Sequence, residues 1–133
     1  MVGILIHEKL TAFEPLNDIM LGKVSPLIAE DETKLPYIVY GVRIGPPEYA
    51  KIGLEKSSVV DSIDIVLEIT SISYKELQII MGNIRLAIEN QTISHNGIET
   101  RLVSLRSQEE YFEKKSRNYN GTMLFNVKTN RMA

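Results

Sequence analysis

The feature that most constrains the fold is a change of hydrophobic period at Ser73. Before it, Ile63, Ile65, Leu67 and Ile69 alternate with Ser62, Asp64, Glu68 and Thr70, and only Val66 departs from the polar register. Asp61 to Ser71 therefore reads as a strand with one core face and one wet face. After it, Tyr74, Leu77, Met81, Ile84 and Ile88 fall three and four positions apart, and Ile80 and Ala87 widen the stripe. That spacing is one face of an amphipathic helix. Ser73-Tyr74-Lys75-Glu76 stands at the junction with the S-x-x-E form of a capping box, in which hydroxyl and carboxylate satisfy reciprocal orphan amides. The stripe must then lie on the apolar face of the strand that precedes it.

The remaining segments supply partners for this unit. Val2, Ile4, Leu5, Ile6, Leu10 and Phe13 recur near helical spacing, which predicts a first helix to about Phe13 that Pro15 breaks or restarts. Lys23 to Ala29 reads as a short strand confined to an edge by Pro26, and Glu30 to Lys34 as a solvated loop. Tyr37 to about Arg43, aromatic and β-branched, reads as a largely buried strand. Ile44 to Val60, with Gly45-Pro46-Pro47, Gly53 and Glu55-Lys56-Ser57-Ser58, reads as a long loop. Asn96-Gly97 marks a turn, Ile98 to Ser107 and Thr122 to Lys128 read as strands, and Gln108 to Asn120 as a polar, mobile loop. Asn120-Gly121 is a second turn signal. The order predicts an α+β class: a mainly antiparallel sheet with two helices packed on one face.

At 133 residues the chain fits one domain, 1-133, with long loops at about 44-60 and 108-120. Fifteen Lys and Arg against seventeen Asp and Glu leave a charge of -2, no footprint for counterion-release binding to nucleic acid or an anionic membrane. There is no cysteine, hence no disulfide framework or thiolate metal site, and a cytosolic compartment is expected. No run approaches the ~18 apolar residues of a membrane span. The triplets Asn90-Gln91-Thr92 and Asn120-Gly121-Thr122 read as chance, since no secretion signal precedes them.

Residues able to carry chemistry are few and badly spaced for it. The two histidines, His7 and His95, have no H-x-x-x-H partner and no carboxylate at metal-ligand spacing. Asp61 and Asp64 point to opposite faces of their strand. Asp64 and Glu68 share a face but lie about 13 Å apart at roughly 3.3 Å per residue, beyond the spacing of paired glycosidase carboxylates. No G-x-G-x-x-G, P-loop or G-x-S-x-G motif occurs, and Gly41-Val42-Arg43-Ile44-Gly45 runs into two prolines rather than a helix. Lys114-Lys115-Ser116-Arg117, with Tyr111, Phe112 and Tyr119 nearby, could stack on single-stranded bases, but Glu109, Glu110 and Glu113 interleave with it. No catalytic, cofactor or metal residue is assigned. An alternative, a cytosolic small-molecule-binding or enzyme domain, would use Tyr37, Tyr40, Asp64 and Glu68.

The linear arrangement is the distinctive remainder: an N-terminal helix, Leu35-Pro36-Tyr37-Ile38-Val39-Tyr40, a long loop, an alternating strand, a helix begun by Ser73-Tyr74 with Glu76 and Leu77 behind, and two closing strands. It resembles the tail-completion, or tail-terminator and tail-to-head joining, family of siphophages and related prophages over nearly the whole chain. The segment from Tyr40 to Asp61 departs from the family pattern. The resemblance implies a non-enzymatic virion subunit with no cofactor. Such a subunit forms a ring, typically a hexamer, that ends tail-tube growth and offers a docking surface to the head connector. Its expected partners are copies of itself, the tail-tube protein and head-tail connector proteins, and its expected place is the tail-head junction of a virion made in the bacterial cytoplasm. A stopper or neck adaptor shares the partners but not the position. A ring needs a heterologous interface that closes by rotation. The two long loops are the expected intersubunit contacts, through Pro46, Pro47, Tyr49, Lys51, Lys56, Glu110, Tyr111, Lys114 and Arg117.

Overall fold

The computed structural model describes residues 2–27, 34–44, 48–52, 56–92, 94–95, 98–99 and 102–130. Helix α1 (Val2–Ala12) and helix α2 (Glu14–Met20) lead into strands β1 (Val24–Pro26), β2 (Tyr37–Ile44), β3 (Glu48–Ile52) and β4 (Lys56–Ser71). Helix α3 (Tyr74–Ile88), the short strands β5 (Ser94–His95) and β6 (Ile98–Glu99), and strands β7 (Ser104–Glu113) and β8 (Asn118–Asn130) follow. The class is α+β. The main sheet runs β1-β2-β4-β8-β7, with β3 also pairing β4. Every pairing in it is antiparallel except β1 with β2.

The period change at Ser73 is where the two layers join. Ile63, Ile65, Leu67 and Ile69 are buried, as are Leu77, Ile80, Met81, Ile84, Ala87 and Ile88 of the α3 stripe. Tyr74, expected in that stripe, is 47% exposed: it is the first residue of α3, and its ring packs edge to face on Tyr119 at the end of the helix. The Ser73 hydroxyl accepts from the Glu76 amide at 3.0 Å, the first half of a capping box. The reciprocal half is relayed: Ser71 Oγ donates to Glu76 Oε1 at 2.6 Å and accepts from the Ser73 amide at 3.4 Å.

Pro15 restarts the first helix rather than ending it, so three helices replace the two expected. Phe13 is extended, Pro15 occupies the first turn of α2 where its missing N–H costs nothing, and Leu16 and Met20 are buried. Helix α1 packs on β1 and β2, α3 on β4 and β8, and α2 against both helices. The edge strand expected over Lys23 to Ala29 is found at Val24–Pro26, outermost in the sheet. Ile28, Ala29 and Glu30 to Thr33 lie outside the described residues.

Both expected long loops are strand pairs in their described parts. Within Ile44 to Val60, β3 runs antiparallel to the first residues of β4, with Tyr49 opposite Val59 and Lys51 opposite Ser57. Strand β4 therefore begins at Lys56, not Asp61. Within Gln108 to Asn120, β7 continues to Glu113 and β8 starts at Asn118, with Lys114 to Arg117 as the turn. The closing strand expected at Ile98 to Ser107 is displaced accordingly: Ile98–Glu99 belongs to the small β5–β6 pair, and β7 begins at Ser104. The Asn96-Gly97 turn lies outside the described residues.

Asn120-Gly121 is not a turn. Both residues sit inside β8, opposite Thr70 and Ile69 of β4. Gly121 is needed for close approach: a Cβ there would stand 2.6 Å from Met81 Sδ and 3.2 Å from Leu77 Cδ1. Asn120 is buried and its Oδ1 accepts from the Thr70 hydroxyl at 3.0 Å. One further irregularity shapes the sheet. Leu105 pairs with Phe125 and Ser107 with Leu124, so Arg106 is an extra residue in β7, a β-bulge.

Candidate functional site

The β3–β4 hairpin runs past one end of the sheet, and the β7–β8 turn closes its other end. Along β4, Val60 is paired with Asn130 and Ser71 with Tyr119, so the β3–β4 hairpin lies at one end and the β7–β8 arm at the other. The sixteen residues of β4 separate these ends by roughly 50 Å. Of the expected contact residues, Glu110 and Tyr111 lie on β7, and Lys114 and Arg117 in its turn, all exposed. Tyr49, Lys51 and Lys56 are placed on the paired backbone of the opposite hairpin. Pro46 and Pro47 lie outside the described residues.

The bulge at Arg106 decides which arm residues meet the helix layer. Beyond it, Gln108, Glu110 and Phe112 stand opposite Met123, Gly121 and Tyr119 and share their side of the sheet, while Glu109, Tyr111 and Glu113 take the other. Phe112, Tyr119 and Tyr74 consequently form a cluster: ring centroids are 4.9 Å apart for Phe112–Tyr119 and 5.9 Å for Tyr74–Tyr119, the latter edge to face. The Tyr74 hydroxyl donates to the Glu110 carboxylate, and that hydrogen bond, with lesser desolvation, raises the Tyr74 pKa above its ordinary value. With Leu77 and Tyr111 these groups line a cavity of about 260 Å³. The sequence pointed to Tyr111, Phe112 and Tyr119 only as neighbours of a basic run. Their pairing was readable from Phe112 and Tyr119 standing symmetrically about the turn, but only once the turn is set at Lys114 to Arg117.

The uncovered face of the sheet carries a polar network instead. Asp64 accepts from Arg43 at 2.8 Å and from Asn126 Nδ2 at 2.9 Å, and Asn126 also donates to Ser62 Oγ at 2.9 Å. Hydrogen bonds from Asn126 first, and Arg43 next, hold the Asp64 carboxyl below the usual aspartate range. The alternative site of Tyr37, Tyr40, Asp64 and Glu68 is not assembled. Tyr40 is buried on the helix side, with its pKa raised by desolvation, whereas Tyr37, Asp64 and Glu68 take the opposite face. His7 packs beside Tyr40, ring centroids 6.0 Å apart, and its Nδ1 is buried without a hydrogen-bond partner. Among the described residues no three His, Cys, Asp or Glu gather as metal ligands, and no helix is long and apolar enough to cross a membrane.

The fold defines an α+β protein, a mainly antiparallel sheet with its helices packed on one face. The same fold occurs in a chain of the virion of a native gene transfer agent particle. That chain superposes with a TM-score of 0.69 at 12% identity, over 95% of this chain and 92% of its own. A second solved protein superposes with a TM-score of 0.59 at 7% identity, over 100% of this chain and 98% of its own. No protein-family model matches the chain, and no curated protein matches its sequence.

Proposed function

We propose that this chain is a non-enzymatic structural protein of a phage-like virion and, more finely, the tail terminator that closes the head-proximal end of the tail as a ring. The observation that carries the reading is the likeness, over nearly the full length of both chains, to a component of the gene transfer agent virion. The arrangement of surfaces supports it. A subunit that joins a tube to a connector needs separate contacts at its two ends, and the β3–β4 hairpin and the β7–β8 turn lie at opposite ends of one sheet. The partners of this reading are further copies of the chain, the tail-tube protein and a head-tail connector protein. The splitting of Tyr40 from Asp64 and Glu68 removes the constellation that an enzyme reading required.

The test is location. Particles purified from the producing cells should contain the chain by mass spectrometry, in ring-like stoichiometry. Immunogold labelling should place it at the junction of tail and head. Label along the tail or at its distal tip would exclude the terminator role, and absence from particles would exclude the virion reading altogether.

A further inference from the structure

We propose that the aromatic pocket between α3 and the β7–β8 arm receives the basic turn of a second copy of this chain, so that subunits join turn to pocket. The inference rests on the ring reading above and names one contact through which a ring would close.

The pocket's chemistry selects its ligand. Three aromatic rings, Tyr74, Phe112 and Tyr119, present faces and edges around a cavity of about 260 Å³. Ring faces attract cations, and apolar walls accept the methylene stem of a long basic side chain. The Glu110 carboxylate already accepts the Tyr74 hydroxyl but retains lone pairs for a second donor. Such a site takes an ammonium or guanidinium on an apolar stem and disfavours anions.

The chain presents that ligand itself. Lys114, Lys115 and Arg117 are exposed in the turn, and among the described residues none of them is ion-paired. Lys114, Lys115 and Arg117 in the turn oppose in sign the one carboxylate that lines the pocket, Glu110, whereas Glu109 and Glu113 take the other face of the sheet. The pocket opens on the helix side of the sheet and the turn projects from its end. A contact between two different patches is heterologous, and it repeats from copy to copy until it closes.

The test uses the full-length chain in sedimentation over a concentration series, with negative-stain imaging. The wild type should form assemblies larger than a dimer. The turn-reversed variant K114E/K115E/R117E and the pocket-reversed variant E110K, each checked for unchanged circular dichroism, should each associate at least about tenfold more weakly. Mixing the two variants should restore assembly, because each reversed turn then meets a reversed pocket. Variants that build rings as the wild type does would overturn this contact while leaving the ring reading intact. A mixture that fails to recover, or a wild type that stops at a closed dimer, would also overturn it. So would a turn-reversed variant that self-associates normally but no longer binds tail-tube protein, since the turn would then belong to another partner. A wild type that stays monomeric at about 1 mM would overturn both readings.

Discussion

The two faces of the sheet are built from alternate residues of the same strands, yet they hold different things. On the helix side Ile63, Ile65, Leu67 and Ile69 meet Met123, Phe125 and Val127 and the α3 stripe, and all of these are buried. On the other side Asp64, Asn126, Ser62 and Arg43 are joined by directional hydrogen bonds, and Glu68 is exposed. Burial of the first kind is non-directional and sums over many contacts, so it supplies stability. Asn126 in that network is itself buried, but the Arg43 end is largely exposed, and an exposed ion pair contributes little and leaves a surface free to meet something else.

Adjacent residues of β8 give the sharpest way to break that contrast. Phe125→Ala should cost about 3–5 kcal/mol in denaturant unfolding, whereas Leu124→Ala, half-buried on the uncovered face, should cost less than half as much; equal losses would mean the faces are not distinct. Gly121→Ala comes next. Its new methyl must displace Met81 or Leu77 of α3, and a loss of about 1–3 kcal/mol should appear as a lower thermal midpoint. A neutral result would show that α3 can lift from the sheet. Ser73→Ala removes the hydroxyl that caps α3 and should cost about 1 kcal/mol, read from the same denaturant curves.

The smallest effect belongs to the uncovered face. The folded pKa of Asp64 lies below its ordinary value of 3.8, so its contribution is complete above that pH and is lost as pH falls through the lowered value. Asp64→Asn should therefore flatten the acid limb of the stability curve below about pH 4 and cost less than about 1 kcal/mol at neutrality, as expected for a solvent-screened pair. A neutral-pH loss as large as that of Phe125→Ala would place Asp64 in the structural core of the fold.

The covered face was legible because burial imposes a period. The strand at Asp61 to Ser71, the stripe of α3 and the cap at Ser73 follow from spacing alone. Strand β7 was not legible because at the exposed edge of the sheet neither of its sides is forced to be apolar. Gln108, Glu109, Glu110 and Glu113 carry no alternation, although β7 runs straight through them. Turn chemistry also misled: Asn120-Gly121 has the composition of a hairpin turn, but the asparagine serves a buried hydrogen bond and the glycine a helix contact. Local preference lost to requirements imposed by Thr70 on β4 and by Leu77 and Met81 on α3, all distant in sequence. The aromatic pocket was hidden for the same reason, since Tyr74 and Phe112 meet only through that pairing.

The bulge at Arg106 carries a consequence for the length of the chain. Because Leu105 and Ser107 occupy neighbouring rungs opposite Phe125 and Leu124, Arg106 holds no rung of its own. Removing it leaves every other partnership in the arm unchanged, whereas removing a residue from Glu109 to Phe112 makes the residues between it and the bulge slip by one rung and exchanges which of their side chains face α3. The arm thus has one dispensable position, and it lies in mid-sheet, where the facing residues of β8 are themselves paired with Ile65 and Val66 of β4.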